Sequence, residues 1–143
     1  PVEETPLTEA VAATWERVGG AAGTGLDMFG LKWTDNLKTV KAVIEKDGAG
    51  KLVQLTGEHW DTVETVEALA AAVGEFDGID DYRGVSAMES DTYNDILATK
   101  VGDDYYLIRV IDAVVTSAGD GSTSVTINIE YKSAVEDGEG AVE

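Results

Sequence analysis

The sequence predicts an α+β fold dominated by strands: a largely antiparallel sheet built from hairpins and a C-terminal three-strand meander, with one amphipathic helix at about 65–75. Three observations predict it. Short apolar runs alternate with polar residues at period 2 and are separated by Gly- and Asp-rich turns. A single stretch places Val66, Leu69, Ala70 and Val73 at i, i+3, i+4 and i+7. No further helical stretch exists to build parallel βαβ units.

Taken in order, residues 1–9 hold both prolines, Pro1 and Pro6, and read as an extended acidic arm. Residues 10–18, with Trp15, read as a strand ending at Gly19-Gly20, and residues 19–25 as a glycine-rich loop. In residues 26–33, Leu31 and Trp33 alternate around Lys32, a strand preceded by a bend or bulge at Gly30. Residues 38–46 alternate Val40, Ala42 and Ile44 against Thr39, Lys41 and Glu45, with Val43 an apolar exception. The turn residues 47–50 and a strand at 51–56 complete a predicted hairpin.

For the helix, Thr65 is the natural N-cap, Glu64 and Glu67 suit the positive end of its dipole, and Gly74 lies near its expected end. Trp60 and Val63, just upstream, pack its start onto the core. Short strands follow at residues 82–87 and 95–101. The strand at 105–115 is apolar on both faces, one carrying Tyr106, Ile108, Val110 and Val114, the other Tyr105, Leu107, Ile111 and Ala113 beside Arg109. It therefore belongs at the centre of a sheet covered on both sides. The last strand, 123–132, points Val125, Ile127, Ile129 and Tyr131 inward and Ser124, Thr126, Asn128, Glu130 and Lys132 to water. Residues 10–133 thus read as one β-rich domain and residues 134–143, with four acids and no base, as a solvated acidic tail.

Composition limits function. The chain carries 10 Lys and Arg against 28 Asp and Glu, a formal charge of −18 on 143 residues. Such a field opposes nucleic acid and anionic membrane and favours cations and basic partners. A surface adapted to high salt has the same composition. Cysteine is absent, which removes disulfides, thiolate metal sites and cysteine nucleophiles. No apolar run reaches the roughly 20 residues that span a bilayer, so no membrane insertion is expected. The start Pro1-Val2-Glu3-Glu4 shows no signal peptide and matches removal of an initiator Met, so cytoplasmic synthesis is the expectation, with incorporation into a virion or extracellular assembly left open.

Few residues carry chemistry. His59, the only histidine, lies between Glu58 and Asp61 and reads as a polar loop residue before the helix rather than a general base. Among the carboxylate groups (Asp103/Asp104, Asp91/Asp95 and Glu136/Asp137 included), Asp77, Asp80 and Asp81 form the best candidate Ca²⁺ site, although no EF-hand spacing is present. The glycine loop lacks the Lys-Ser/Thr of a phosphate-binding loop. Trp15, the tryptophan least tied to a core pattern, and Tyr105, which points away from Tyr106, are candidate partner-binding residues; Trp33 and Trp60 read as core. These features point to no enzyme and no cofactor beyond possible Ca²⁺. They favour a non-catalytic structural or assembly subunit, of virion, filament or surface-coat type, binding protein through self-association. The alternative is an extracellular or periplasmic binding module for a cation, sugar or peptide.

Overall fold

The computed structural model describes residues 5–18, 23–34, 41–48, 50–117, 119 and 121–134. Residues 1–4, most of the glycine loop (19–22), the start of the third predicted strand (38–40) and the tail from 135 onward lie outside the described residues.

Strands β1 (Val11–Val18), β4 (Lys51–Leu55), β6 (Asp91–Val101), β7 (Asp104–Ser117) and β8 (Thr123–Ser133) form a five-stranded sheet in the order β1-β8-β7-β6-β4. Strands β2 (Leu31–Thr34), β3 (Lys41–Lys46) and β5 (Asp81–Ser86) form a second sheet in the order β2-β3-β5. Every pairing is antiparallel, and β6-β7-β8 is the predicted meander.

Two cores sit on opposite faces of the large sheet. Between the sheets, Trp15, Leu52, Leu97, Ile108, Val110, Ile127 and Ile129 pack with Leu31, Trp33, Ile44, Tyr82 and Val85 of the small sheet. Phe29, from a 3-10 turn at Asp27–Phe29, meets Trp15, Tyr106 and Tyr131 edge to face at centroid distances of 5.9, 5.3 and 5.2 Å. Gly30 closes that turn in the left-handed region (φ 67°), as the bend there requires. On the far face, Val53, Leu55, Ile96, Ala98 and Leu107 are covered by Trp60, Val63, Leu69, Ala72 and Val73.

Four of these covering residues come from two helices, and Val63 from the link between them. In α2 (Val66–Glu75), Thr65 Oγ1 accepts from Ala68 N (3.1 Å), the expected cap, and Leu69, Ala72 and Val73 are the buried stripe. Gly74 lies near the end, as expected: the helix runs to Glu75, and the Phe76 amide closes it on Ala72 O (3.2 Å). Lys51 Nζ donates to Val73 O (2.8 Å), placing a cation at the negative end of the helix. The short helix α1 (Gly57–Thr62) replaces the expected loop around His59.

Two expectations are corrected. The strands at 38–46 and 51–56 do not form a hairpin, because β3 pairs with β2 and β5 while β4 pairs with β6. Ala42, Val43 and Ile44 are all buried, so β3 is covered on both faces where it lies between β2 and β5 in the small sheet. The faces of β7 also exchange along its length. A register shift between Val110 and Asp112 inserts one residue, so Ala113 and Val115 join the inter-sheet core while Val114 is exposed.

Polar links tie the sheets, among them the Ser86 amide on β5, which donates to Tyr93 Oη on β6 (3.1 Å). Tyr82 on β5 is buried and its Oη donates to Asp95 Oδ2 on β6 (2.5 Å). Gly84 lies over that pair; a Cβ there would stand 2.5 Å from Tyr82 Oη and 2.6 Å from Asp95 Oδ2. Burial first, then the hydrogen bond and charge of Asp95 and the charge of Tyr93, raises the Tyr82 pKa above its ordinary value of 10.0.

Two predictions follow from these contacts. Gly84→Ala overpacks the link and is expected to cost about 1–3 kcal/mol. Gly74→Ala, with nothing within 4 Å of the added carbon, is expected to stabilise by about 0.5–1 kcal/mol. Urea midpoints that move in the same direction for both would contradict the packing described. A third prediction concerns alkali. Unfolded Tyr82 loses its proton near 10.0 while the folded residue keeps it, so stability falls as pH rises past that value. Tyr82→Phe should therefore lose less stability than the wild type between pH about 9 and about 11; parallel losses would show that Tyr82 does not titrate on unfolding.

Candidate functional site

The sequence-predicted site residues do not come together. Trp15 is 0% exposed and packs on Phe29 between the sheets, so it is a core residue rather than a partner-binding one. Its indole N–H has no hydrogen-bond partner among the described residues. The small apolar neighbours in β1, Val11, Ala12 and Ala13, conceal in the sequence that only its odd positions face the core. Tyr105 does point away from Tyr106, but its ring is half-buried against the core beneath the helices, and it lines a small cleft with Asp104, Tyr106, Ser133 and Ala134.

Asp77, Asp80 and Asp81 are not brought together as a group that could hold a metal ion. Asp77 and Asp80 are exposed, whereas Asp81 starts β5 and pairs with Arg83 Nη2 at 3.0 Å. Among the described residues no group of three or more His, Asp or Glu is placed to hold a metal ion. No helix among them is long and apolar enough to cross a membrane.

His59 is tied into local structure. The Thr56 amide donates to His59 Nδ1 (3.2 Å) in a capping box, and the ring meets Phe76 edge-on at 5.3 Å. With Nδ1 accepting, the neutral ring carries its proton on Nε2. The spacing Thr56-x-x-His59 was the available signal for α1, obscured because His stands where a capping box usually has Glu or Gln.

The surface feature that the architecture produces is the outer edge of β1. Glu16 N–H donates to Thr24 O (3.1 Å) and Thr24 N–H donates to Glu16 O (2.7 Å), so the Glu16 main chain faces away from β8. Alternate residues of an antiparallel strand turn the same way, so Ala12 and Thr14 also face outward. Gly25, at φ 88°, lies against the Thr14 carbonyl, where any Cβ would collide with it. The main-chain N–H and C=O of Ala12 have no partner among the described residues. Val11 and Val18, at the two ends of the strand, are 42% and 59% exposed. On the opposite edge, Ile79 N–H donates to Leu52 O on β4 (2.7 Å).

Beyond the start of β1, residues 5–8 lie as a short extended segment between two parts of the fold. On one side, Val66 N–H donates to Thr5 O (2.8 Å), Leu7 N–H to Glu64 O (3.0 Å) and the Thr5 amide to Glu67 Oε1 (2.8 Å). On the other, Thr8 N–H donates to Ser133 O (2.8 Å) and Ser133 N–H to Thr8 Oγ1 (3.3 Å). Next to this segment is an open groove of ≈ 430 Å³ lined by residues 7–10, Trp60, Val63, Glu64 and Lys132. Trp60 forms its floor, 8% exposed, with Lys132 Nζ 4.3 Å and Arg109 Cζ 5.2 Å from its ring centroid. Lys132 Nζ also donates to Trp60 O (3.0 Å), and Arg109 pairs with Glu130 at 2.5 Å. Both cations are thereby engaged within the fold.

Comparison with protein-family models, with characterised proteins and with solved structures finds no match to this chain.

Proposed function

We propose that this protein is a non-catalytic structural subunit of a larger assembly, of the virion, filament or surface-coat kind, and that it associates through protein contacts. The observation that carries this reading is the open stretch of β1 at Ala12. An edge strand with unpaired main-chain groups is a template for another strand, and monomeric proteins commonly blunt such edges with charge, proline or a covering loop. Among the described residues, covering reaches the edge at Thr14 and Glu16 but not at Ala12. The charge of −18 supplies the control: like-charged copies stay apart at low ionic strength, and salt shortens the repulsion to about 3 Å at 1 M.

The test is solution mass by light scattering across a series from low to high salt, on the wild type and on Ala12→Pro. Proline is tolerated at an edge position whose N–H faces outward, so β1–β8 pairing survives while the open N–H is removed. The wild type should rise to a defined oligomer or polymer as salt increases, and Ala12→Pro should need more salt or stay monomeric. A wild type that is monomeric at every salt concentration overturns the reading.

A further inference from the structure

We infer that the slot occupied by residues 5–8 is an exchange site, which in the assembled protein receives the same residues from a second copy of this chain. The inference rests on the reading as an assembly subunit and adds to it a specific contact distinct from the β1 edge.

Three features of the slot carry it. The first is that the arm is held as an inserted strand by separate parts of the chain. Pro6 is bridged to Thr65 and Leu7 to Ala134, Leu7 packs on the core beneath the helices, and the hydrogen bonds of Thr5, Leu7 and Thr8 go to residues 64–67 and 133. Every one of these partners belongs to the folded body, so an arm from a neighbouring copy finds identical partners. Exchange of an identical element loses no contact outside its connection.

The second is the connection itself. Glu9 and Ala10 are exposed and make no hydrogen bond to a described residue. They line the ≈ 430 Å³ groove that separates them from Trp60 and Lys132. The link between arm and body therefore stands off the fold, and re-routing it to a neighbour leaves the Trp60 packing intact.

The third is position. The connection lies two residues before Ala12 in the chain, next to the edge along which copies are proposed to pair. The proline at position 6 keeps the arm extended during transfer. A second copy is the occupant because the slot is fitted to this sequence: the Glu67 carboxylate meets the Thr5 amide and the apolar core meets Leu7.

The experiment uses the absence of cysteine from the chain, since any disulfide then reports the introduced pair alone. Bridge partners in an antiparallel ladder have Cα atoms about 4.5–5.5 Å apart, within the range of about 4.4–6.8 Å that a disulfide spans. Leu7→Cys and Ala134→Cys are made as separate full-length variants of different mass, mixed, taken through the salt series and oxidised. The heterodisulfide should form in excess of both homodisulfides under the conditions that raise the mass in light scattering. The double variant should close within one chain at low salt and link different chains at high salt. Pro6→Cys with Thr65→Cys should repeat the pattern, which removes the loss of the Leu7 contact as its cause.

A double variant that closes only within one chain at every salt, with no excess heterodisulfide from the mixed single variants, overturns exchange. So does a double variant that closes nowhere. The two readings fail separately: a salt-dependent oligomer without the heterodisulfide leaves the assembly reading and removes arm exchange, whereas a monomer throughout removes both.

Discussion

Strand β7 has to be covered on both faces, and the rest of the molecule is arranged around that constraint. Leu107 turns to one side and Ile108 and Val110 to the other, and all three are fully buried. Each such side chain contributes about 1.5–3 kcal/mol when removed from water, so neither face can be left open. The small sheet closes one and the helices close the other. The inserted residue near Ile111 then keeps Ala113 and Val115 in the inter-sheet core where the helices no longer reach.

The same arrangement produces the exposed surface. The helices cover β4, β6 and the first part of β7, while β8 and β1 extend beyond them with a polar outer face. On that face Asn128 donates to Asp112 (2.6 Å) and Arg109 pairs with Glu130, so cross-strand partners satisfy its polar side chains. β1 becomes the outermost strand, and cover from the other described residues reaches it only in places. The edge and the arm slot are thus by-products of how a five-stranded sheet is buried by two short helices.

Electrostatics reinforces this. Lys51 sits on the end of α2, Lys132 and Arg109 lie over Trp60, and Arg83 and Arg109 each pair with a carboxylate. Four of the 10 basic residues are therefore engaged in holding the fold, and the remaining surface is more one-sided in charge than the composition already implies. Free copies repel, and a contact between them has to be specific or screened.

The sequence by itself determined what depends on neighbours along the chain. The period of β8, the cap and stripe of α2, the turn at Gly30 and the opposite directions of Tyr105 and Tyr106 were legible because each is set within a few residues. What only the tertiary structure decided is which strands meet and which faces they bury. Val43 signalled a strand covered on both sides but not which sheet it joined, and one inserted residue near Ile111 reversed the faces that strict alternation assigns. Trp15 read as a possible surface anchor because Val11, Ala12 and Ala13 give no contrast between faces, and Asp77, Asp80 and Asp81 read as a site because proximity in sequence says nothing about where side chains point. The open edge at Ala12 and the slot for residues 5–8 were not legible at all. Both are made of main-chain groups, which every residue carries alike, and only the packing of distant segments determines which of them remain unpaired.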